Sequence, residues 1–147
     1  MRIINSTEVK ERKTMRKEIT IKQRAQVLVH DMSLEEKLGQ IVCCWPKPEM
    51  EPEKILEEYP AGVGVISLTN ARVLENVKDV AAFQKKWQKA AMEKSPHNIP
   101  AIFHTEGLCG ALIPEAMSFP TGIARASSWD EELELKIGRI VSRQSAA

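Results

Sequence analysis

The stretch Ile99-Pro100-Ala101-Ile102-Phe103-His104-Thr105-Glu106-Gly107-Leu108-Cys109-Gly110 holds the residue types most able to do chemistry. Its apolar first half stops abruptly at His104-Thr105-Glu106-Gly107. An apolar run ended by a polar, Gly-containing cluster is the pattern of a buried strand that delivers polar side chains at its C-terminal end. Ligands sit at that end of the strand in open α/β sheets and in α/β barrels. Alternation along a strand would place His104 and Glu106 on one side and Thr105 on the other. An imidazole and a carboxylate sharing a site make a candidate proton-transfer pair. The plainer alternatives are a His104 packed against a neighbouring strand and a Glu106 solvated in a loop.

Other chemistry finds little support. His104-Thr105-Glu106 does not make HExxH, and no His/Cys pair has zinc spacing, so no metal site is expected. No serine sits in GxSxG. Gly62 and Gly64 lie at the start of an apolar run and GxGxxG fails at Ser67, whereas a phosphate-cradling loop needs its glycines after the strand. No cofactor is therefore expected. Cys43 and Cys44 are adjacent, too close for an unstrained bond, and Cys109 stands apart in the loop. Three ordinary thiols in a reduced compartment is the plain reading, with a reactive Cys109 as the sharper one.

The elements that must position these residues can be read from spacing. Residues 1–20 are polar and basic without periodicity, a flexible polar arm. From Ile21 a helical pattern places Ala25, Leu28 and Val29 on one face and breaks at Asp31-Met32. Ser33 with Glu36 makes a capping box for a helix carrying Leu34, Leu38, Ile41 and Val42, which Pro46 and Pro48 end. A short helix is expected around Ile55 to Glu58. Ala61 to Leu68 is apolar on both alternations, as in a parallel strand covered on both faces. A helix over Val73 to Glu93 follows, with Val73, Val77, Val80, Ala81 and Ala91 inward and Phe83 and Trp87 close by. With the strand opening at Ile99 this is a βαβ unit. A long loop from Gly107 to Ser127 leads to a third helix, capped by Ser128 with Glu131 and buried along Leu133, Ile137, Ile140 and Val141. Asp130 reads as first-turn helix charge, and Trp45, Trp87 and Trp129 as core or rim aromatics. Two strands with their helices cannot cover one another as a closed barrel does, so the element count implies a chain cut short.

Composition excludes several classes. At 147 residues, 43% hydrophobic and 28% charged, the chain suits one soluble domain of about 127 residues behind its arm, and a net charge of +1 gives no reason to expect nucleic acid. No apolar segment approaches the roughly 18–20 residues of a membrane span. The N-terminus lacks the apolar core of a secretory signal, which makes a cytoplasmic location the expectation.

The opening stretch also resembles glycoside hydrolase family 3. Ile99 to Gly110, then Ser118-Phe119-Pro120, then Ala126-Ser127-Ser128-Trp129-Asp130 are similar to the family's IPxxFHEExLHG, TSFP and AxTWD blocks. Met32-Ser33-Leu34-Glu35-Glu36-Lys37-Leu38-Gly39-Gln40 resembles its MTLEEKIGQ helix start, and the blocks occur in order. The resemblance implies an α/β fold, the first portion of a (β/α)8 TIM-type barrel over residues 21–147 with parallel strands and covering helices, preceded by an N-terminal helical arm. It implies exo-acting, retaining β-glucosidase or β-xylosidase chemistry on a terminal β-linked sugar, run by two carboxyl groups. The family's nucleophile and acid/base lie further along the chain, so no catalytic residue is assigned here. What carries over is substrate binding by Glu106, whose carboxylate would accept bonds from two sugar hydroxyls at once, with His104 and Cys109 as site-loop neighbours. Three positions depart from the family pattern: Thr105 where many members have Glu, Cys109 where His is usual, and Gln144 where Glu follows Arg143. The first two lie in the site loop and bear on substrate preference. The alternative reading is a non-catalytic α/β module that binds carbohydrate or protein, and unpaired strand edges would invite self-association.

Overall fold

Short apolar runs punctuated by proline and glycine become, in the computed structural model, three brief parallel strands with helices between them. The structure describes residues 19–146, so the arm expected over residues 1–20 lies outside the described residues except for its last two. Two compact units divide the chain, Met1–Lys37 and Leu38–Ala147.

In the first unit, helix α1 (Ile21–Asp31) starts at an N-cap box. Thr20 Oγ1 accepts from the Gln23 amide at 3.2 Å while Gln23 Oε1 accepts from the Thr20 amide at 2.9 Å. None of its residues is buried: Val27 and Val29 are exposed and Leu28 only half-buried. The box read at Ser33 is present. The Ser33 amide donates to Glu36 Oε2 at 2.7 Å and the Glu36 amide to Ser33 Oγ at 3.1 Å, opening α2 (Leu34–Gly39).

The second unit corrects the sequence reading at its first element. The helix expected to run on through Ile41 and Val42 stops at Gly39, and Cys43–Cys44 is a strand, β1. Strand β2 (Val65–Ser67) lies between β1 and β3 (Ile102–His104), all parallel, with Cys43 opposite Val65, Cys44 opposite Ile66, Val65 opposite Ile102 and Ser67 opposite His104. The sheet therefore has three strands where local pattern gave two. Gly64 permits this pairing: a Cβ there would collide with the Gln40 carbonyl, and its amide donates to Gly39 O at 2.9 Å. That close approach explains the glycine.

Helix α3 (Pro52–Leu56) begins with proline in its first turn, three residues earlier than expected. After β2 a 3-10 turn (Thr69–Val73) precedes α4 (Val77–Lys94), whose N-cap Asn76 accepts from the Asp79 amide at 3.0 Å. The later start leaves Val73 and Ala81 exposed, not inward. The inner stripe is instead Val80, Phe83, Trp87, Ala90 and Ala91, with Trp87 and Phe83 in tilted ring contact at 5.9 Å. These side chains bury the sheet face formed by Cys44, Ile66 and, less completely, Phe103, with Leu56, Val63, Leu68 and Ala101 completing the core.

Beyond β3, α5 (Gly122–Ala126) interrupts the expected loop, and α6 (Glu131–Ala146) closes the chain. Its cap is Asp130, whose carboxylate accepts from the Leu133 amide at 2.9 Å. Ser128, the cap read from sequence, instead donates its hydroxyl to Arg125 O at 2.7 Å. Of the stripe read on this helix only Ile137 is buried, Ile140 and Val141 being half-buried and Leu133 exposed. Trp129 is exposed, as is much of Trp45, so of the three tryptophans Trp87 alone is core. No helix of the described residues is long and apolar enough to cross a membrane.

Candidate functional site

Parallel pairing aligns the C-terminal ends of all three strands along one edge of the sheet, and His104, Asn70 and the Thr105-Glu106 loop lie there. β3 is seated by the Ile102 amide on Gly64 O at 2.8 Å, and the Leu68 amide on His104 O at 2.7 Å closes its end. The strand ends at His104, so Thr105 and Glu106 belong to the loop after it.

His104 does not pair with Glu106. Its Nε2 lies 3.4 Å from Cys43 Sγ, and its ring meets that of Trp45 edge-on at 5.7 Å between centroids. The packed-histidine alternative thus describes His104. Glu106 is exposed and takes no hydrogen bond or ion pair from another described residue through its carboxylate. Its backbone is held: Glu106 O accepts from the Leu112 amide at 3.2 Å, and Thr105 Oγ1 reaches Leu112 O at 3.5 Å. A fixed backbone with an unpartnered carboxylate leaves two acceptor oxygens available to a ligand.

The loop from Gly107 to Phe119 is tied at several points. Gly110 adopts φ +113° and a Cβ there would strike the Met117 carbonyl, so no other residue fits without strain. The Phe119 amide donates to Cys109 O at 2.8 Å, which fixes the backbone of Cys109; its side chain is half-buried. Glu115 Oε2 accepts from the Val77 amide at 3.2 Å, closing the N-terminus of α4, where a negative charge is favoured. Gln144 Oε1 accepts from the Met117 amide at 3.3 Å, so the residue that departs from the family pattern on α6 serves as a loop anchor.

Reading the sequence missed the parts contributed by the other two strands. Asn70, after β2, donates through Nδ2 to Trp45 O at 3.3 Å and Pro46 O at 3.2 Å, and so joins the ends of β1 and β2. Ser67, fully buried, donates to Thr69 Oγ1 at 2.9 Å. Cys43 faces His104 only because Cys43–Cys44 is a strand; Asn70 after an apolar run was the one available signal. All three cysteines are free thiols. Burial, with Cys43 and Glu58 nearby, pushes the Cys44 thiol up, and burial likewise raises the Tyr59 phenol, with Cys44 beside it. Among the described residues no group of three or more His, Cys, Asp or Glu could hold a metal ion.

The chain is 28% identical over 138 residues to a Formosa agariphila protein that carries the provisional name beta-xylosidase. That alignment covers 86% of this chain and 18% of the relative, so the chain spans about a fifth of that relative's length. Residues 33–147 match the family model described as the Glycosyl hydrolase family 3 N terminal domain. The match takes in β1, β2, β3 and the Glu106 loop, and the chain belongs to glycosyl hydrolase family 3.

Proposed function

We propose that this chain is the sugar-holding part of an exo-acting, retaining β-glycosidase of the β-glucosidase or β-xylosidase type. The observation that carries the reading is the exposed, unpartnered carboxylate of Glu106, at the end of β3, inside the family match. In this role Glu106 accepts bonds from two adjacent hydroxyls of a terminal β-linked sugar and so orients the ring at its anomeric carbon. His104 and Cys109 border the loop without touching the reacting bond. Residues 21–147 are then the opening portion of a (β/α)8 barrel, in which the three parallel strands would be followed by others to the number of eight. Retaining hydrolysis needs two carboxyl groups about 5–5.5 Å apart on either side of the bond, and the family resemblance assigns neither of them to the blocks matched in this chain. The 147-residue chain by itself is accordingly a binder and not a catalyst.

The test is an assay of the purified chain against aryl β-xyloside and aryl β-glucoside, run beside equilibrium titration with free xylose and glucose. The proposal expects saturable sugar binding without turnover. Turnover by the chain would overturn the assignment of Glu106 as a holding residue only, and absence of binding to either sugar would overturn the site itself. A second reading, a non-catalytic module that associates through its sheet edges, is favoured by β1 and β3 each being paired on one side only among the described residues and by the 69% exposure of Ile102 on β3.

A further inference from the structure

The proposed sugar-holding role makes no use of the contact between Cys43 and His104, and that contact is not what two outer strands of a flat sheet would make. β1 and β3 are separated by β2, and strands two places apart lie about 9–10 Å from each other. The thiol and imidazole nonetheless meet at 3.4 Å, leaning towards each other over the middle strand. Register places Cys43, Val65, Ser67 and His104 on the same face, and the residue under the contact's downstream side is Ser67, one of the smallest available.

We propose that Cys43 and His104 form a thiol–imidazole pair that makes Cys43 the reactive cysteine of the chain, a modification site for small disulfides. A histidine nitrogen in contact with a thiol is the arrangement that activates sulfur nucleophiles. In the tautomer that leaves Nε2 bare, that nitrogen takes the thiol proton as Sγ attacks one sulfur of the disulfide. The S–S bond of the reagent breaks as the new Cys43 S–S bond forms, and the departing thiolate leaves with the proton from Nε2. Nothing further is oxidised or reduced. The other contact of the thiol, Cys44 O at 3.7 Å, is longer and offers the sulfur no base. Cys43 is half-buried and the neighbouring Trp45 is 52% exposed, which leaves an approach to the pair beside an aromatic side chain for an uncharged reagent of one or two rings.

The other two thiols are placed differently. Cys44 points to the core face and is buried among Leu56, Ile66 and Val80, its thiol pushed up by burial. Vicinal closure with Cys43 is disfavoured, because neighbouring Cα atoms stand about 3.8 Å apart and a disulfide spans about 4.4–6.8 Å. Cys109 is half-buried on the loop and has no histidine among its hydrogen-bond partners. The sharper sequence reading put a reactive thiol at Cys109, and the present proposal puts it at Cys43.

The experiment is substoichiometric reaction of the full 147-residue chain with 4,4'-dithiodipyridine, quenching with acid and locating the adduct by peptide mass mapping. Cys43 and Cys44 are told apart by fragmentation between them. The expected result is modification at Cys43 before Cys109, with Cys44 unmodified, and a rate at Cys43 about a hundredfold lower in His104→Asn, the low end of what a general base contributes. The Cys109 rate in the same variant should not move. Should His104→Asn open the fold, Cys44 becomes reactive and reports it. His104→Gln is then used, and the order of modification in the unaltered chain decides independently of either variant. Earlier modification of Cys109 or Cys44 in the unaltered chain overturns the proposal, as does an unchanged Cys43 rate in a variant whose Cys44 stays protected. Sugar binding plays no part in these readouts, so this proposal and the glycosidase reading can fail separately.

Discussion

Glu106 and Gly110 show how closely chemistry and backbone are matched at single residues. The carboxylate is left without a partner while the loop carrying it is fastened by its own carbonyl, by Thr105 and by a glycine whose φ of +113° no side chain tolerates well. Gly110→Ala should therefore lose about 1–3 kcal/mol of stability from strain alone, with more from the blocked approach of Met117 O, as read by urea denaturation. Gly107→Ala is the control: nothing lies within 4 Å of a Cβ there, so its unfolding free energy should stay within about 0.5 kcal/mol of the parent value. A similar loss in both would mean that the loop is not built as described. At this scale the sequence was legible where a local rule governs, as at the Ser33–Glu36 box. It was not legible for His104, because the partner that claims its imidazole is 61 positions away on a strand that local spacing concealed.

Among the elements, β1 was hidden for a physical reason. Ile41 and Val42 extend the helical spacing of Leu34 and Leu38, and a two-residue strand exists only through its pairing with Val65 and Ile66. Long, capped α4 was legible because apolar residues recur along it at helical spacing, though its start shifted past a 3-10 turn that no periodicity marks. The cap of α6 moved from Ser128 to Asp130 because the serine hydroxyl is engaged with Arg125 O. Two predictions belong to this level. Asn70→Ala removes both bonds joining the end of β1 to β2, and should destabilise by about 1–3 kcal/mol while leaving the helix signal in circular dichroism intact. A change below about 0.3 kcal/mol would show that the junction does not depend on it. The second concerns the exposed ion pair that links the cap of α3 to α4, with Lys86 Nζ 2.6 Å from Glu51 Oε2. That ammonium, by hydrogen bond and charge, holds the Glu51 carboxyl below its ordinary value. A carboxyl lowered by folding adds stability above its unfolded pKa and loses it as pH falls through the folded one. Lys86→Gln should thus raise the Glu51 titration midpoint in a carboxyl-carbon NMR titration, and an unmoved midpoint would remove the pair from the account.

Among the described residues the molecule is an α/β chain whose parallel sheet has three strands, one face buried by α4 and neighbours, and two edges with a pairing partner on one side only. Family membership was legible from ordered motif blocks, and the family match over residues 33–147 agrees with where those blocks lie. The third strand was not legible, nor was the cross-sheet contact that it creates. If the edges govern association, the chain should sediment as concentration-dependent oligomers, and a monomer at all concentrations would show that they do not. Sugar recognition is the central claim, and it rests on one carboxylate. The most direct measurement is an amide NMR titration of the 147-residue chain with xylose, in parallel with Glu106→Gln. Hydrogen bonds to a charged group contribute about 1.5–3 kcal/mol, so affinity should fall about tenfold or more in the variant. Shifts concentrated at residues 104–112 are expected to saturate in the parent and fade in Glu106→Gln. Shifts of equal size and affinity in both proteins, or none near the loop in either, would contradict the claim.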